Sequence, residues 1–170
     1  MKFIAKIATA AAIGLAAAGA QAQLYGEIGY SAINVDVPHH SVNLGAISGI
    51  VGYGVHENLA LEGFLAFGVN DDRIGTAKVE LEHAYGVFAK PRVLLSPNFE
   101  LYGRLGYVES KAKGSNSLGS LSDSDGDWAY GIGGNYYFDR NTYLGVSYTR
   151  FYDKHDAQAD GLTLGVGMKF

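Results

Sequence analysis

The chain has 170 residues, 48% of them hydrophobic, with 24 Gly, 12 Tyr, 8 Phe, 3 Pro and no Cys, and a formal charge of −4. That content is too apolar and aromatic for disorder, and without cysteine there is no disulfide framework, thiolate zinc site or cysteine nucleophile. Abundant Gly and Tyr without a collagen triplet point to short strands and tight turns, and the lack of a basic surplus argues against nucleic acid as a partner.

Met1 to Ala22 has the layout of a removable signal peptide: Lys2 and Lys6, an alanine-rich apolar run from Ile7, then Ala20-Gln21-Ala22 ahead of Gln23. Removing 22 of 170 residues leaves 148, and loss of the two lysines takes the charge from −4 to −6. Residues 23–170 are expected to form one domain. No later run offers 18 consecutive apolar residues, so no transmembrane helix is expected.

From Leu24 the period is two. Leu24, Ile28, Tyr30 and Ala32 fall on one face while Glu27, Gly29 and Ser31 fall on the other, the mark of a half-buried strand. The alternation recurs, placing strands near 24–34, 43–55, 59–69, 78–92, 99–110, 127–138, 142–151 and 161–170. Tight turns at His56-Glu57-Asn58, Ser96-Pro97-Asn98 and Asp139-Arg140-Asn141 alternate with longer polar links near 35–42, 70–77, 111–126 and 152–160. Short turns on one side and long loops on the other is the layout of an outer-membrane barrel, and Lys111 to Gly126 reads as its one low-complexity loop. Pro91 has no ladder donor and is expected at a bulge or at the fraying end of its strand.

The second face decides between a soluble sandwich and a membrane barrel. Opposite Leu59, Leu61, Leu65 and Phe67 lie Ala60, Glu62, Phe64 and Ala66; opposite Leu162, Leu164, Val166, Met168 and Phe170 lie Gly161, Thr163, Gly165, Gly167 and Lys169. Such a mixture of small, aromatic and charged residues suits a narrow barrel interior, with the apolar face turned to lipid. About ten residues at ~3.3 Å, tilted by ~40°, span roughly 25 Å, the apolar height of an outer membrane. Two aromatic girdles are expected: Tyr53, Phe99, Tyr136, Phe138 and Phe170 toward the short turns, and Tyr30, Phe67, Tyr107, Trp128 and Tyr148 toward the long loops.

Asn58-Leu59-Ala60-Leu61-Glu62, Tyr85-Gly86-Val87-Phe88-Ala89-Lys90, Ser96-Pro97-Asn98-Phe99 through Arg104-Leu105-Gly106-Tyr107, Tyr130-Gly131-Ile132-Gly133 and terminal Phe170 follow in order. With this spacing the chain from residue 23 onward resembles the small eight-stranded outer-membrane β-barrels of the OmpA transmembrane domain, OmpX and Ail kind. The resemblance implies an all-β, antiparallel up-and-down transmembrane barrel in the cell outer membrane, monomeric among outer-membrane lipid and lipopolysaccharide. It also implies insertion by the barrel assembly machinery, with Gly165, Gly167, Met168 and Phe170 in the strand that machinery reads. The peptidoglycan-binding domain that follows the OmpA barrel is expected to be absent.

Inward charges of both signs include Glu27, Glu62, Glu80, Glu82, Lys90, Arg92, Glu100, Arg104 and Lys169. Buried charges must be paired or hydrated. Strand order sets Glu62 beside the strand of Lys90, and closure sets Glu27 beside that of Lys169, so Glu27, Glu62, Lys90, Glu100, Arg104 and Lys169 are expected to form a salt-bridged plug. Tyr25, Phe64, Phe88, Tyr102 and Tyr137 fill the rest.

This favours an envelope-structural or surface-interaction role, with an extracellular ligand at the loops, over a narrow pore or a lipid A-modifying enzyme. His39, His40, Ser41, Asp71, Asp72, His155 and Asp156 lie on the long-loop side but lack a hydrolase arrangement, so no catalytic residue is expected. Asp123-Ser124-Asp125-Gly126-Asp127 starts like a calcium loop, but Gly134 stands where the bidentate Glu belongs, and neither metal nor cofactor is expected. The long links, with Asp127 at the residue that follows the third, hold nine acids (Asp36, Asp71, Asp72, Asp123, Asp125, Asp127, Asp153, Asp156, Asp160) against four bases (Arg73, Lys111, Lys113, Lys154).

Overall fold

The computed structural model describes residues 24–37, 40–69, 71–74, 77–116, 119–154 and 157–170, all but the turns and Val69 and Phe170 in strands. The signal peptide expected at 1–22 lies outside the described residues, as do His39, His155 and Asp156 and the side chains of His40, Ser41, Asp71 and Asp72. The strands are β1 (Leu24–Val37), β2 (His40–His56), β3 (Leu59–Gly68), β4 (Asp71–Ile74), β5 (Ala77–Ser96), β6 (Phe99–Asn116), β7 (Gly119–Tyr137), β8 (Thr142–Lys154) and β9 (Ala157–Lys169). All neighbours are antiparallel, in the order β3-β2-β1-β9-β8-β7-β6-β5-β4, and a β3–β5 pairing closes the ring. Both β3 and β4 pair with β5, so they are two segments of one stave and the barrel has eight.

Directly opposed partners followed around the ring from Leu24 are Tyr53, Leu61, Ala89, Leu105, Tyr130, Arg150 and Asp160. The path re-enters β1 at Asn34, ten residues beyond its start. For eight staves, ~3.3 Å per residue and ~4.8 Å between strands, this shear gives a tilt of about 40° and a backbone radius of about 8 Å. An interior of that width is filled by side chains.

The burial pattern is the inverse of a soluble protein's. Ile28 and Ile132, at mid-height outside, are 72% and 69% exposed, whereas Glu62, Lys90 and Glu100 are 1–2% exposed inside. The outer surface is a band of Leu, Val and Ile edged by aromatics, with Tyr30, Phe67, Tyr107, Trp128 and Tyr148 exposed toward the long hairpins. Phe99, Tyr136, Phe138 and Phe170 are exposed toward the short turns, where Tyr53 is half-buried. Edge-to-face contacts tie Tyr107 to Trp128 (6.2 Å) and Tyr136 to Phe138 (5.5 Å). Inside, close approach demands glycine: a Cβ on Gly52 would overlap the Tyr25 ring, and one on Gly167 would overlap that of Tyr143.

Three of the four long links are paired strand rather than loop. The ladder runs to Val37↔His40, Asn116↔Gly119 and Lys154↔Ala157, and the fourth link carries β4. Backbone pairing needs no apolar side chain, so the ladder continues past the point where the hydrophobic alternation stops. Asp125 accordingly pairs with Ser110 in extended backbone, which is not the tight ligand loop a calcium motif needs. Pro91 is not at a bulge either. The β5–β6 rungs resume after it in unchanged register, from Ala89↔Leu105 to Arg92↔Tyr102, and the bulge falls at Leu94/Ser96. Facing Leu59 at the start of β3, Pro91 interrupts the ladder without shifting it, five residues before its strand ends.

Candidate functional site

The lumen holds a charged layer whose ionised groups come from four strands, β1, β3, β5 and β6. Glu62 on β3 is its centre. Arg104 on β6 meets Glu62 side-on, with Nε donating to Oε2 at 2.6 Å and Nη2 to Oε1 at 3.3 Å, the strong bidentate geometry. Tyr25 OH donates to Glu62 Oε1 at 2.6 Å, and Lys90 Nζ on β5 approaches the same oxygen at 3.4 Å. Lys90 continues to Glu100 Oε1 at 3.5 Å and lies over the rings of Tyr102 (4.1 Å) and Tyr25 (4.9 Å), an aromatic cage that lets an ammonium leave water. Glu100 also takes Arg92 at 3.6 Å, Asn135 Nδ2 at 3.0 Å and Tyr137 OH at 3.1 Å. Glu27 accepts from Tyr143 OH at 3.1 Å and has Arg104 at 3.9 Å. Three carboxylates thus face three cations.

Five of the six residues singled out in the sequence, Glu27, Glu62, Lys90, Glu100 and Arg104, are joined by direct ion pairs, and the sixth, Lys169, reaches them through Tyr137. Lys169 pairs across the ladder with Tyr25, one inward position nearer the short turns than Glu27, and its Nζ rests 4.0 Å over Tyr137. Glu82, read as inward from the same alternation, sits by the Leu81/His83 irregularity and meets Lys111 at 3.1 Å in a half-exposed pair above the lumen. The side chain of Glu80 is outside the described residues. Tyr143 and Asn135, both 1% exposed, are partners the sequence reading left out, although the alternation Tyr143, Gly145, Ser147, Thr149 already marks the inward face of β8.

A second layer, built on aromatic rings, lies toward the long hairpins, with Asp127 buried at its edge beside Val108. Phe64 meets Phe88 edge-on and stacks on Phe151, each at 5.9 Å, inside a ring of buried Ala46, Ala66, Ala84, Val108 and Ala129. A void of about 10 Å³, room for one water, is bordered by Arg104 together with Phe64, Phe88, Phe151 and the hydroxyl-bearing Ser48 and Thr163.

Outside the lumen, Arg150 and Asp160 form a bidentate pair at 2.8 and 3.1 Å near the outer aromatic band. Of the remaining histidines, His56 Nδ1 accepts from the Asn58 N–H at 3.3 Å and His83 stacks on Tyr85, so both have local structural partners. At the Asp139 turn the carboxylate accepts the backbone N–H groups of Asn141 and Thr142, each at 2.7 Å, which holds that carboxyl below the usual aspartate range.

A closed eight-stave barrel with lipid-facing aliphatics, two aromatic edges and a filled, charged lumen defines a transmembrane β-barrel of the outer membrane. The chain belongs to the family of the outer membrane protein β-barrel domain, whose model matches residues 4–170. Among solved structures it is similar to Ail, the attachment invasion locus protein of Yersinia pestis, in complex with the heparin analogue sucrose octasulfate. That match has 24% identity and a TM-score of 0.70 over 89% of this chain and 100% of the other. Neisserial surface protein A superposes with a TM-score of 0.75 at 14% identity, covering 86% of this chain and 97% of that one. The N-terminal barrel of Pseudomonas aeruginosa OprF gives 0.61 at 16% identity, covering 85% and 97%. No curated protein sequence matches. The protein is an outer-membrane β-barrel, an architecture whose short turns are as a rule periplasmic and whose long loops are extracellular.

Proposed function

We propose that this barrel is a monomeric surface-interaction element of the outer membrane, its lumen plugged and its outer hairpins the recognition surface. The observation that carries this is the length of those hairpins. Beyond Tyr107 and Trp128 the β6–β7 pair runs nine more residues to Asn116↔Gly119, about 30 Å of strand and roughly 23 Å of height at the barrel's tilt. A paired hairpin of that reach costs little to the barrel and holds its surface clear of the lipid headgroups. On this reading residues 1–22 export the chain and are removed, Gly165, Gly167, Met168 and Phe170 serve recognition by the assembly machinery, and the barrel sits among lipopolysaccharide without chemistry of its own.

Ail is described in complex with a heparin analogue. Here the outer segments carry eight acids against four bases, Asp127 being buried on the inward face of β7, and this surplus disfavours a sulfated polyanion and favours a partner that is basic or bridged by divalent cations. The test excises residues 112–123 and closes the hairpin with a short turn. The folded barrel's cold-versus-boiled shift in gel mobility should persist, while attachment of expressing cells to matrix-coated plastic falls to background. Failure to fold, or unchanged attachment, overturns the assignment, and steady conductance of the intact chain in planar bilayers overturns the plug.

A further inference from the structure

We infer that the lumen is closed by two seals of different chemistry in series, each sufficient alone: the charged layer around Glu62 on the periplasmic side, and the Phe64–Phe88–Phe151 layer on the outer side. The inference rests on the plugged reading above and adds where, and how many times, the path is blocked.

The two layers occupy different levels. Arg104 is the outermost charge of the lower layer, and the void at Ser48 has its guanidinium as one border and the three phenylalanines as another. Around the phenylalanines the inward positions Ala46, Ala66, Ala84, Val108 and Ala129 carry no polar side-chain atom, the nearby hydroxyls of Ser31 and Thr163 are spent on one another at 2.7 Å, and the next inward charge is Asp127, buried beside Val108. The lower layer blocks for the opposite reason. Its charges satisfy one another at 2.6–3.5 Å around Glu62 and Lys90, so an ion passing through must break contacts already desolvated. Loosening either layer should therefore wet the void from one side only. A barrel with one seal has a single point of leakage, whereas this one keeps a dry aromatic layer if its ion pairs rearrange.

The chain has no cysteine, so Ser48→Cys introduces a single thiol at the void. Ser48 makes one long contact, 3.4 Å to the Gly29 carbonyl, and is the mildest place to put it. The protein is reconstituted in one orientation, verified by protease access to the outer hairpins, and treated with a membrane-impermeant methanethiosulfonate from each face. The Ser48→Cys chain should be unreactive from both faces. Adding Glu62→Gln with Arg104→Gln should expose the thiol from the periplasmic face alone, and adding Phe64→Ala with Phe151→Ala should expose it from the outer face alone, each raising labelling at least tenfold. Reaction in the Ser48→Cys chain itself sinks the plugged reading. Reaction of either variant from the opposite face, or no reaction in a folded variant, sinks the two-seal inference while leaving the plug intact. Fold is checked by gel mobility. If a pair of substitutions does not fold, Glu62→Gln alone and Phe64→Leu with Phe151→Leu give the same readout with smaller changes.

Discussion

Replacing Glu62 by alanine removes the centre of the charged layer. Three carboxylates against three cations become two against three, and the cation left over is in a lumen where Lys90 and the Glu62 side chain are 0–1% exposed. At an effective dielectric of about 20, the Lys90–Glu62 attraction at 3.4 Å is worth about 5 kcal/mol before desolvation, and the bidentate Arg104 contact is lost with it. Breaking one partner of a buried pair costs about 3–5 kcal/mol, and Glu62→Ala is expected in that range. Glu62→Met with Arg104→Met removes one charge of each sign and fills the space with apolar volume, so its cost should fall below about 2 kcal/mol. Urea unfolding in detergent micelles, followed by the fraction of heat-modifiable folded band, measures both. A Glu62→Ala cost below about 1 kcal/mol, the scale of a solvated surface pair, would refute the reasoning, as would a double variant as damaged as the sum of its singles.

Three further outcomes are expected. Gly52→Ala should cost about 1–3 kcal/mol, because its methyl displaces the Tyr25 ring from Glu62, whereas Gly49→Ala on the outer surface meets nothing within 4 Å and should be neutral or slightly stabilising; equal urea midpoints would contradict the packing. Ile132→Arg at the middle of the lipid band should destabilise by about 2–4 kcal/mol and Phe138→Arg at the periplasmic edge by about 1 or less, and the reverse ranking would misplace the membrane. The Asp139 carboxyl titrates below the usual range because it accepts two backbone N–H groups, so its stabilising contribution is complete above the unfolded value and fades as pH falls through the lower folded one; NMR titration finding an ordinary aspartate pKa would remove that turn contact.

Much of this barrel is legible without coordinates because the pleat is local. A strand with lipid on one side and side chains on the other must alternate, and Leu59 to Phe67 already states which residues face lipid. Strand number, the two aromatic edges and the inward charges follow from the same period. The outer hairpins escape it: Ser115↔Ser120 and Asp36↔Ser41 are held by backbone pairing that polar side chains neither announce nor oppose. The bulges at Leu81/His83 and Arg150/Tyr152 also reset the count of inward residues where no sequence rule marks the change.

The sequence by itself determined the class of protein, because hydrophobic period and strand length are properties of single segments measured against one membrane. The partners inside were decided only by closure. A ten-residue shear sets side chains from non-adjacent staves at one height, bringing Arg104 of β6 onto Glu62 of β3 and Tyr143 of β8 onto Glu27 of β1. The same offset leaves Lys169 one inward position away, over Tyr137, since a charge in a narrow lumen pairs with what shares its level rather than with what lies on the next strand.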